Sequence, residues 1–327
     1  MNKVGIIALG RYLPLRTLTN QDIEKLVETT DEWIISRTGI RERRIAAEGE
    51  KTSDLAVAAA LDALRNSPVK AEDIEAIFVA TVTPDSNFPS VACLVQKAIG
   101  AKKAFAYDIS AACSGFLYAL TTAKQFIATG QAKNALVIAA DRFTSIIDWK
   151  DRNTCVLFGD GAGAAVLGKV AQGGILSEYM ISDGDGASLM GVISDKTRTP
   201  FDQALDSSKL PFVVMNGQEL FKHAVPGMAE AVGIAAQRAG LLLDDIKCVV
   251  PHQANDRIIA SVAKRAGIDK ERFFINIDKY GNISAASVVV ALCEAVESGR
   301  IRKGDNVALV VFGAGLVAAA NIIEWSY

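Results

Sequence analysis

The sequence predicts an α/β protein made of two duplicated α/β halves, stacked as a five-layer α-β-α-β-α sandwich. Three observations predict it. The first is an internal repeat. Ala71-Glu72-Asp73-Ile74-Glu75-Ala76-Ile77-Phe78-Val79 is echoed by Leu243-Asp244-Asp245-Ile246-Lys247-Cys248-Val249-Val250, at an offset of 172 from Asp73 to Asp245. Ala119-Leu120 returns as Ala291-Leu292 at the same offset, and Ala135-Leu136-Val137-Ile138 as Ala308-Leu309-Val310-Val311 at 173. The second is alternation of helical and strand patterns, which favours a largely parallel sheet with helices on its faces. The third is composition: half the residues are hydrophobic and only 22% charged, as expected where sheets are buried on both faces.

Taken in order, the first half reads as helix 53–66, strand 76–80, helix 90–98, strand 105–109, helix 113–128, strand 135–140 and strand 164–167. The halves are expected to be 1–172 and 173–327, joined near Gly173-Gly174. Two sheets sharing buried helices give the five layers, with the helices after Cys113 and Asn282 as symmetry mates at the centre. Gly159-Asp160-Gly161-Ala162-Gly163-Ala164 and Gly313-Ala314-Gly315-Leu316-Val317-Ala318 both fit a dinucleotide-binding glycine pattern. That pattern needs a helix after the turn, and here an apolar strand follows each time, so close backbone packing in glycine-rich hairpins is expected.

Charge excludes some functions. There are 35 basic and 37 acidic residues, a net charge of −2, so nothing global points to nucleic acid. The longest run without a polar side chain, Val307–Ala320, has 14 residues, against about 20 for a membrane span. The N-terminus passes directly into a strand pattern without a cleavage signature, and a cytoplasmic location is expected. Five scattered cysteines with no C-x-x-C pair argue against disulfides and zinc. Cys93, Cys155, Cys248 and Cys293 lie in apolar stretches and are expected to be small buried side chains. No metal is expected.

Cys113 differs. It stands between the strand pattern 105–112 and the helical pattern 114–128, where helix N–H groups and the helix dipole favour thiolate. Such a thiolate can attack a thioester carbonyl and hold the acyl group covalently. His252, one of only two histidines, follows strand 247–250 in Pro251-His252-Gln253-Ala254-Asn255, at a strand end. The other, His223, sits on a helix, 219–224, and reads as an ordinary polar residue. Asn282 lies in Tyr280-Gly281-Asn282-Ile283-Ser284, also read as a strand end, where a turn asparagine is the plain alternative. Together a neutral imidazole and a carboxamide can steady an enolate oxygen, which a carboxylate would repel.

With these residues in place the chain resembles the β-ketoacyl-acyl carrier protein synthase III family of thiolase-like condensing enzymes over nearly its whole length. The matching motifs are Asp31-Glu32-Trp33-Ile34, Arg37-Thr38-Gly39-Ile40-Arg41-Glu42-Arg43, Ala111-Ala112-Cys113-Ser114-Gly115-Phe116, Phe158-Gly159-Asp160-Gly161-Ala162-Gly163, Pro251-His252-Gln253-Ala254-Asn255 and Gly281-Asn282-Ile283-Ser284-Ala285-Ala286-Ser287. The resemblance implies a thiolase-like sandwich, a homodimer, and a ping-pong decarboxylating Claisen condensation that starts fatty acid chains. Cys113 would take an acyl group from acyl-CoA. Malonyl-acyl carrier protein would then decarboxylate beside His252 and Asn282. Neither metal nor redox cofactor is implied.

The resemblance carries further roles. Trp33, Arg37 and Arg152 would bind CoA, the first two on a short helix read as opened by a Thr29-x-x-Glu32 capping box. Asn216 and Asn255 would line the pantetheine channel. Lys222 and Arg257, with Lys264 and Arg265 on helix 256–266, would dock an acidic carrier protein. Phe88 would cross the dimer to cap the partner's acyl pocket. Backbone N–H groups of Cys113 and Ala314 would form the oxyanion hole. At the last hairpin the family usually has three glycines and later Thr-Trp-Gly, whereas this chain has Gly313-Ala314-Gly315-Leu316-Val317-Ala318-Ala319. Alanine tolerates fewer φ values than glycine, so an altered hole is one expectation. That segment alone favours a specialised relative acting on another acyl group in secondary metabolism. A non-catalytic dimer partner would have no need of Cys113, His252 and Asn282, and a biosynthetic thiolase would want a second catalytic cysteine after Cys293.

Overall fold

The computed structural model describes residues 3–192 and 212–327. Two main sheets carry the molecule. The first has five strands in the order Val4–Tyr12, Asp160–Lys169, Ala135–Arg142, Ala76–Ala80, Phe105–Ile109. The second has four, in the order Gly174–Ser182, Val317–Glu324, Asn306–Gly313, Cys248–Pro251. Read from these ends the pairings run antiparallel, antiparallel, parallel in both sheets. The first sheet ends on a further parallel pair, and the second on a single parallel bridge from Val249 to Phe273. The repeat in the sequence is thus a repeat of topology.

The helices Gly115–Ala128 and Ala286–Glu297 lie between the sheets, and a single hydrophobic core draws on both halves. Each helix is apolar on nearly every side, as a central layer requires. Strand Ala76–Ala80 is buried at every residue, which its unbroken apolar run foretells. Gly163 shows why small residues sit at the strand–helix contact: a Cβ there would come within 2.4 Å of Val289 Cγ1. Two smaller cores cover the outer faces, under helix Thr52–Arg65 and under helix Gly217–Arg238.

Strands 76–80 and 105–109 and helix 256–266 fall where the periodicity puts them. Both glycine patterns run into strands, Asp160–Lys169 and Val317–Glu324, as expected. Several details differ. Helix Asp31–Thr38 is capped by Thr30, whose hydroxyl accepts from the Trp33 N–H at 3.1 Å, and not by Thr29; the helix begins one residue later than the spacing implied. The helix read at 219–224 extends over Gly217–Arg238 and passes through Pro226, because its face Leu220, Ala224, Met228, Ala231 and Val232 is buried against the second sheet. Cys93 is exposed; helix Val91–Ile99 buries Val91, Ala92 and Val95 and turns Cys93 outward. Asn282 follows a one-turn helix, Ile277–Tyr280, and lies in an isolated bridge to Phe158 rather than at a strand end.

Candidate active site

Cys113 sits in a 3-10 turn, Ala112–Ser114, and the regular helix starts at Gly115. The turn is tight: Ala112 takes φ +45°, and a Cβ on Gly115 would lie 2.8 Å from that of Ala80. Across from it, a Cβ on Gly313 would lie 2.9 Å from the Cys113 backbone N, so the last hairpin presses on the nucleophile turn. His252 closes strand Cys248–Pro251, its N–H donating to Val310 at 2.8 Å. Asn282 is held by its backbone: its N–H donates to Leu157 at 2.9 Å and its carbonyl accepts from Gly159 at 3.1 Å. Its side-chain Oδ1 accepts from Ser284 N–H at 2.9 Å, which aims the amide NH2 away.

These elements bring Cys113, His252 and Asn282 onto one cavity, with Leu157, Phe158, Met190, Met215, Phe221 and Phe312 among its apolar walls. Each of the three polar side chains is almost fully buried. A second cavity also reaches Cys113, lined by Thr81, Val82, Asn87, Phe143, Ser284 and Ala314. Cys113 and Met190 line both cavities.

The electrostatics are governed by burial. The Cys113 thiol is pushed up to about 12 by desolvation, partly offset by the Ser284 hydroxyl. Removal from water thus opposes the thiolate that the helix N-terminus favours. Desolvation lowers His252 to about 4, so the imidazole is neutral at physiological pH. Asp141, fully buried nearby, is raised by the same cause. Its Oδ1 accepts from Thr81 Oγ1, Val82 N–H, Thr83 N–H and Thr83 Oγ1, fixing the loop at the second cavity.

Ser287, which holds His252, was not singled out from the sequence, and Gln253 braces the backbone beside it. Ser287 Oγ lies 2.6 Å from His252 Nδ1 and also accepts from Gln253 N–H at 3.2 Å. Gln253 is buried, donates to Pro251 and Phe274 and accepts from Asn276 N–H. Both lie inside quoted motifs, and the i+35 contact between strand and helix carries no local signal.

Around the cavity the other expected residues fall in groups. The Arg152 and Arg37 guanidinium carbons lie 5.0 and 5.8 Å from the Trp33 ring centroid, placing two cations about one indole. Asn255 lines the cavity, caps helix Asp256–Ala266 and donates to the Arg37 carbonyl at 3.0 Å. Asn216 caps helix Gly217–Arg238, between Met215 and Gly217, which line the cavity. Lys222, Arg257, Lys264 and Arg265 are exposed on two packed helices, Lys222 pairing with Glu219 at 2.8 Å. Phe88 is 84% exposed, and His223 is exposed, away from the chemistry. Ala314 answers the question of the last hairpin. The only non-glycine residues with positive φ among the described residues are Ala112 and Ser284, and the unusual geometry of the turn falls on Gly315, at φ 147°. Alanine is accommodated at 314. Among the described residues no cluster could hold a metal ion.

A cysteine opening one of two paired central helices, in a doubled α/β sandwich, is the arrangement of the thiolase-fold condensing enzymes, and the comparisons agree. Residues 107–184 match the 3-oxoacyl-[acyl-carrier-protein (ACP)] synthase III family and residues 236–325 match its C-terminal counterpart. The chain is 51% identical to the β-ketoacyl-[acyl-carrier-protein] synthase III of Caldanaerobacter subterraneus over 323 residues, 98% of each chain. It is equally identical to that of Clostridioides difficile over 324 residues, 99% of each. The crystal structure of 3-oxoacyl-[acyl-carrier-protein] synthase III from Aquifex aeolicus superposes with a TM-score of 0.92 at 44% identity, covering 98% of this chain and 100% of that one. The chain belongs to the β-ketoacyl-[acyl-carrier-protein] synthase III family.

Proposed function

We propose that the chain joins an acyl-CoA primer to malonyl-acyl carrier protein by decarboxylating Claisen condensation, giving the 3-oxoacyl-acyl carrier protein that starts a fatty acid chain. The observation that carries this is the convergence of Cys113, His252 and Asn282 on one buried cavity. Cys113 Sγ attacks the acyl-CoA carbonyl, the C–S bond to CoA breaks, and the thiol proton leaves with CoA. N–H groups of Cys113 and Ala314 serve the oxyanion, a role supported by the packing of the 313–315 turn on Cys113. The malonyl thioester next binds the same cavity and loses carbon dioxide. Its enolate oxygen is met by neutral His252 and by the Asn282 amide. The carbanion attacks acyl-Cys113, the thioester to the enzyme breaks, and the cysteine sulfur takes up a proton from water.

Trp33, Arg37 and Arg152 hold the nucleotide of CoA, Trp33 and Arg152 stacking their flat faces on adenine and Arg37 meeting phosphate. Asn216 and Asn255 line the pantetheine path. Lys222, Arg257, Lys264 and Arg265 receive the acidic carrier protein, a placement supported by Phe221 and Ile258, which line the cavity from the same two helices. No metal or redox cofactor takes part. The active form is a homodimer: strand Phe105–Ile109 has one neighbour in its sheet and shows Phe105 and Tyr107 at an open edge. Phe88 extends from the adjoining loop to cap the acyl pocket of the partner. The two halves divide at 172/173. Among the described residues no helix is long and apolar enough to cross a membrane, and soluble substrates of this kind support a cytoplasmic location.

The test is acylation. Incubated with radiolabelled acetyl-CoA, the enzyme retains label on Cys113. Equal labelling of Cys113→Ser would refute the reading.

A further inference from the structure

Arg43 is buried with no ion-pair partner among the described residues. It lies on the short strand Glu42–Ile45 and is fully inaccessible. Among the described residues no carboxylate pairs with it. Its Nη1 donates to Asn20 Oδ1 at 2.8 Å and to the Leu18 carbonyl at 3.3 Å, its Nη2 donates to the Val156 carbonyl at 2.7 Å, and Nε has no partner. Burying a guanidinium against oxygen dipoles alone is costly, and a neutral side chain of similar volume would avoid that cost. The position of its contacts explains why a cation is held there.

Val156 begins the segment that holds Asn282. The next residue, Leu157, accepts the Asn282 N–H, and Gly159 donates to the Asn282 carbonyl. The Arg43 stem packs on the same bridge: a Cβ on Gly159 would lie 3.0 Å from Arg43 Cβ, and one on Gly281 would lie 3.3 Å from it. Gly281, at φ 63°, and Gly159 are the residues that let the two backbones meet around the arginine. On its other side, Asn20 Nδ2 donates to Asp31 Oδ1 and to the Ile40 carbonyl, at the two ends of the helix carrying Trp33 and Arg37.

We propose that Arg43 is a positioning residue for decarboxylation: by clamping the Val156 carbonyl it fixes the 156–159 segment and, through it, the carboxamide of Asn282. The proposal rests on the role of Asn282 given above. Asn20 bonds Asp31 and Ile40 through Nδ2, whereas Arg43 reaches its Oδ1, so loss of the guanidinium is expected to spare the CoA helix. The two half-reactions therefore respond differently to its loss.

The experiment compares wild type with Arg43→Met, which keeps the length and loses the donors, and Arg43→Lys, whose single ammonium cannot reach both Asn20 and Val156. Self-acylation by acetyl-CoA is read by intact mass, carbon dioxide release from malonyl-carrier protein by trapping, and folding by thermal melts. Arg43→Met should acylate within about twofold of wild type and release carbon dioxide roughly tenfold more slowly, since sub-ångström misplacement of a stabilising group is costly; Arg43→Lys should fall between. If Arg43→Met gives no folded protein, the same split in Arg43→Lys decides. Loss of both half-reactions in equal measure, or carbon dioxide release at the wild-type rate, would overturn the proposal. Asn282→Ala is run alongside. Carbon dioxide release by that variant at the wild-type rate would remove the role of Asn282 itself, and the proposal with it.

Discussion

Ser287 Oγ and His252 Nδ1 lie 2.6 Å apart in the interior, with the Gln253 N–H occupying a second site on the same oxygen. The serine hydroxyl can then donate to Nδ1, which leaves the imidazole proton on Nε2, the nitrogen free to meet a substrate oxygen. A neutral histidine serves as a donor only in that tautomer. Ser287→Ala leaves Nδ1 buried and unpartnered, which costs about 1–2 kcal/mol, or roughly tenfold in rate. The expected outcome is slower carbon dioxide release from malonyl-carrier protein with self-acylation of Cys113 unchanged. Equal slowing of both steps would show that Ser287 serves packing alone.

Burial sets the resting state of the nucleophile. With the Cys113 thiol pushed up to about 12 by desolvation, thiolate is scarce at neutral pH, and its fraction grows about tenfold per pH unit. Alkylation of Cys113 by iodoacetamide, followed by peptide mass analysis to separate it from exposed Cys93, should climb steadily from pH 7 to 10. A plateau near neutrality would mean that the helix N-terminus prevails over burial after all.

His252 ties stability to pH. Its folded value, lowered by burial to about 4, is below the ordinary histidine value of 6.5, so the unfolded chain takes the proton first. The stabilisation is complete above the unfolded value and is lost as pH falls from there through the folded one. The window is pH 6.5 to 4, and the loss amounts to about 3 kcal/mol. Urea melts of wild type should show this loss, and His252→Gln, which has no titrating ring, should show less of it. Parallel pH profiles for the two proteins would refute the assignment.

The doubled fold was legible because a repeat imposes the same buried patterns twice, and the two central helices are apolar on nearly every side. Cys113 and His252 were legible because each breaks an apolar pattern at its end. Asn282 was found by its motif, and its support was not: the bridge to Phe158 joins segments 124 residues apart, and nothing local marks it. Ser287 and Arg43 stayed hidden for the same reason, since a serine in a helix and an arginine in a strand usually face water. The burial that opposes a Cys113 thiolate was not legible because desolvation is a property of the packed core, while a helix start can be read from sequence. Thr29 alone has a Glu three residues on, but Thr30 is the residue in extended geometry whose hydroxyl meets the Trp33 N–H, and backbone geometry decides the cap.

The last hairpin separates two alanine–glycine questions that the sequence ran together. At Gly313 a Cβ would lie 2.9 Å from the Cys113 backbone N and 3.2 Å from that of Ser114, and backbone at a helix start has nowhere to move. Gly313→Ala should cost about 1–3 kcal/mol by overpacking and displace the thiol, so that acylation falls by roughly tenfold or more. Position 314 carries no such constraint, because its φ is ordinary and the unusual geometry belongs to Gly315. Ala314→Gly should cost less than about 1 kcal/mol, by loosening the unfolded chain, and leave acylation within about twofold. Melting temperatures and acetyl-CoA labelling of the two variants check both expectations. If Ala314→Gly proved the more damaging of the two, the alanine would be shaping the oxyanion turn rather than merely fitting it.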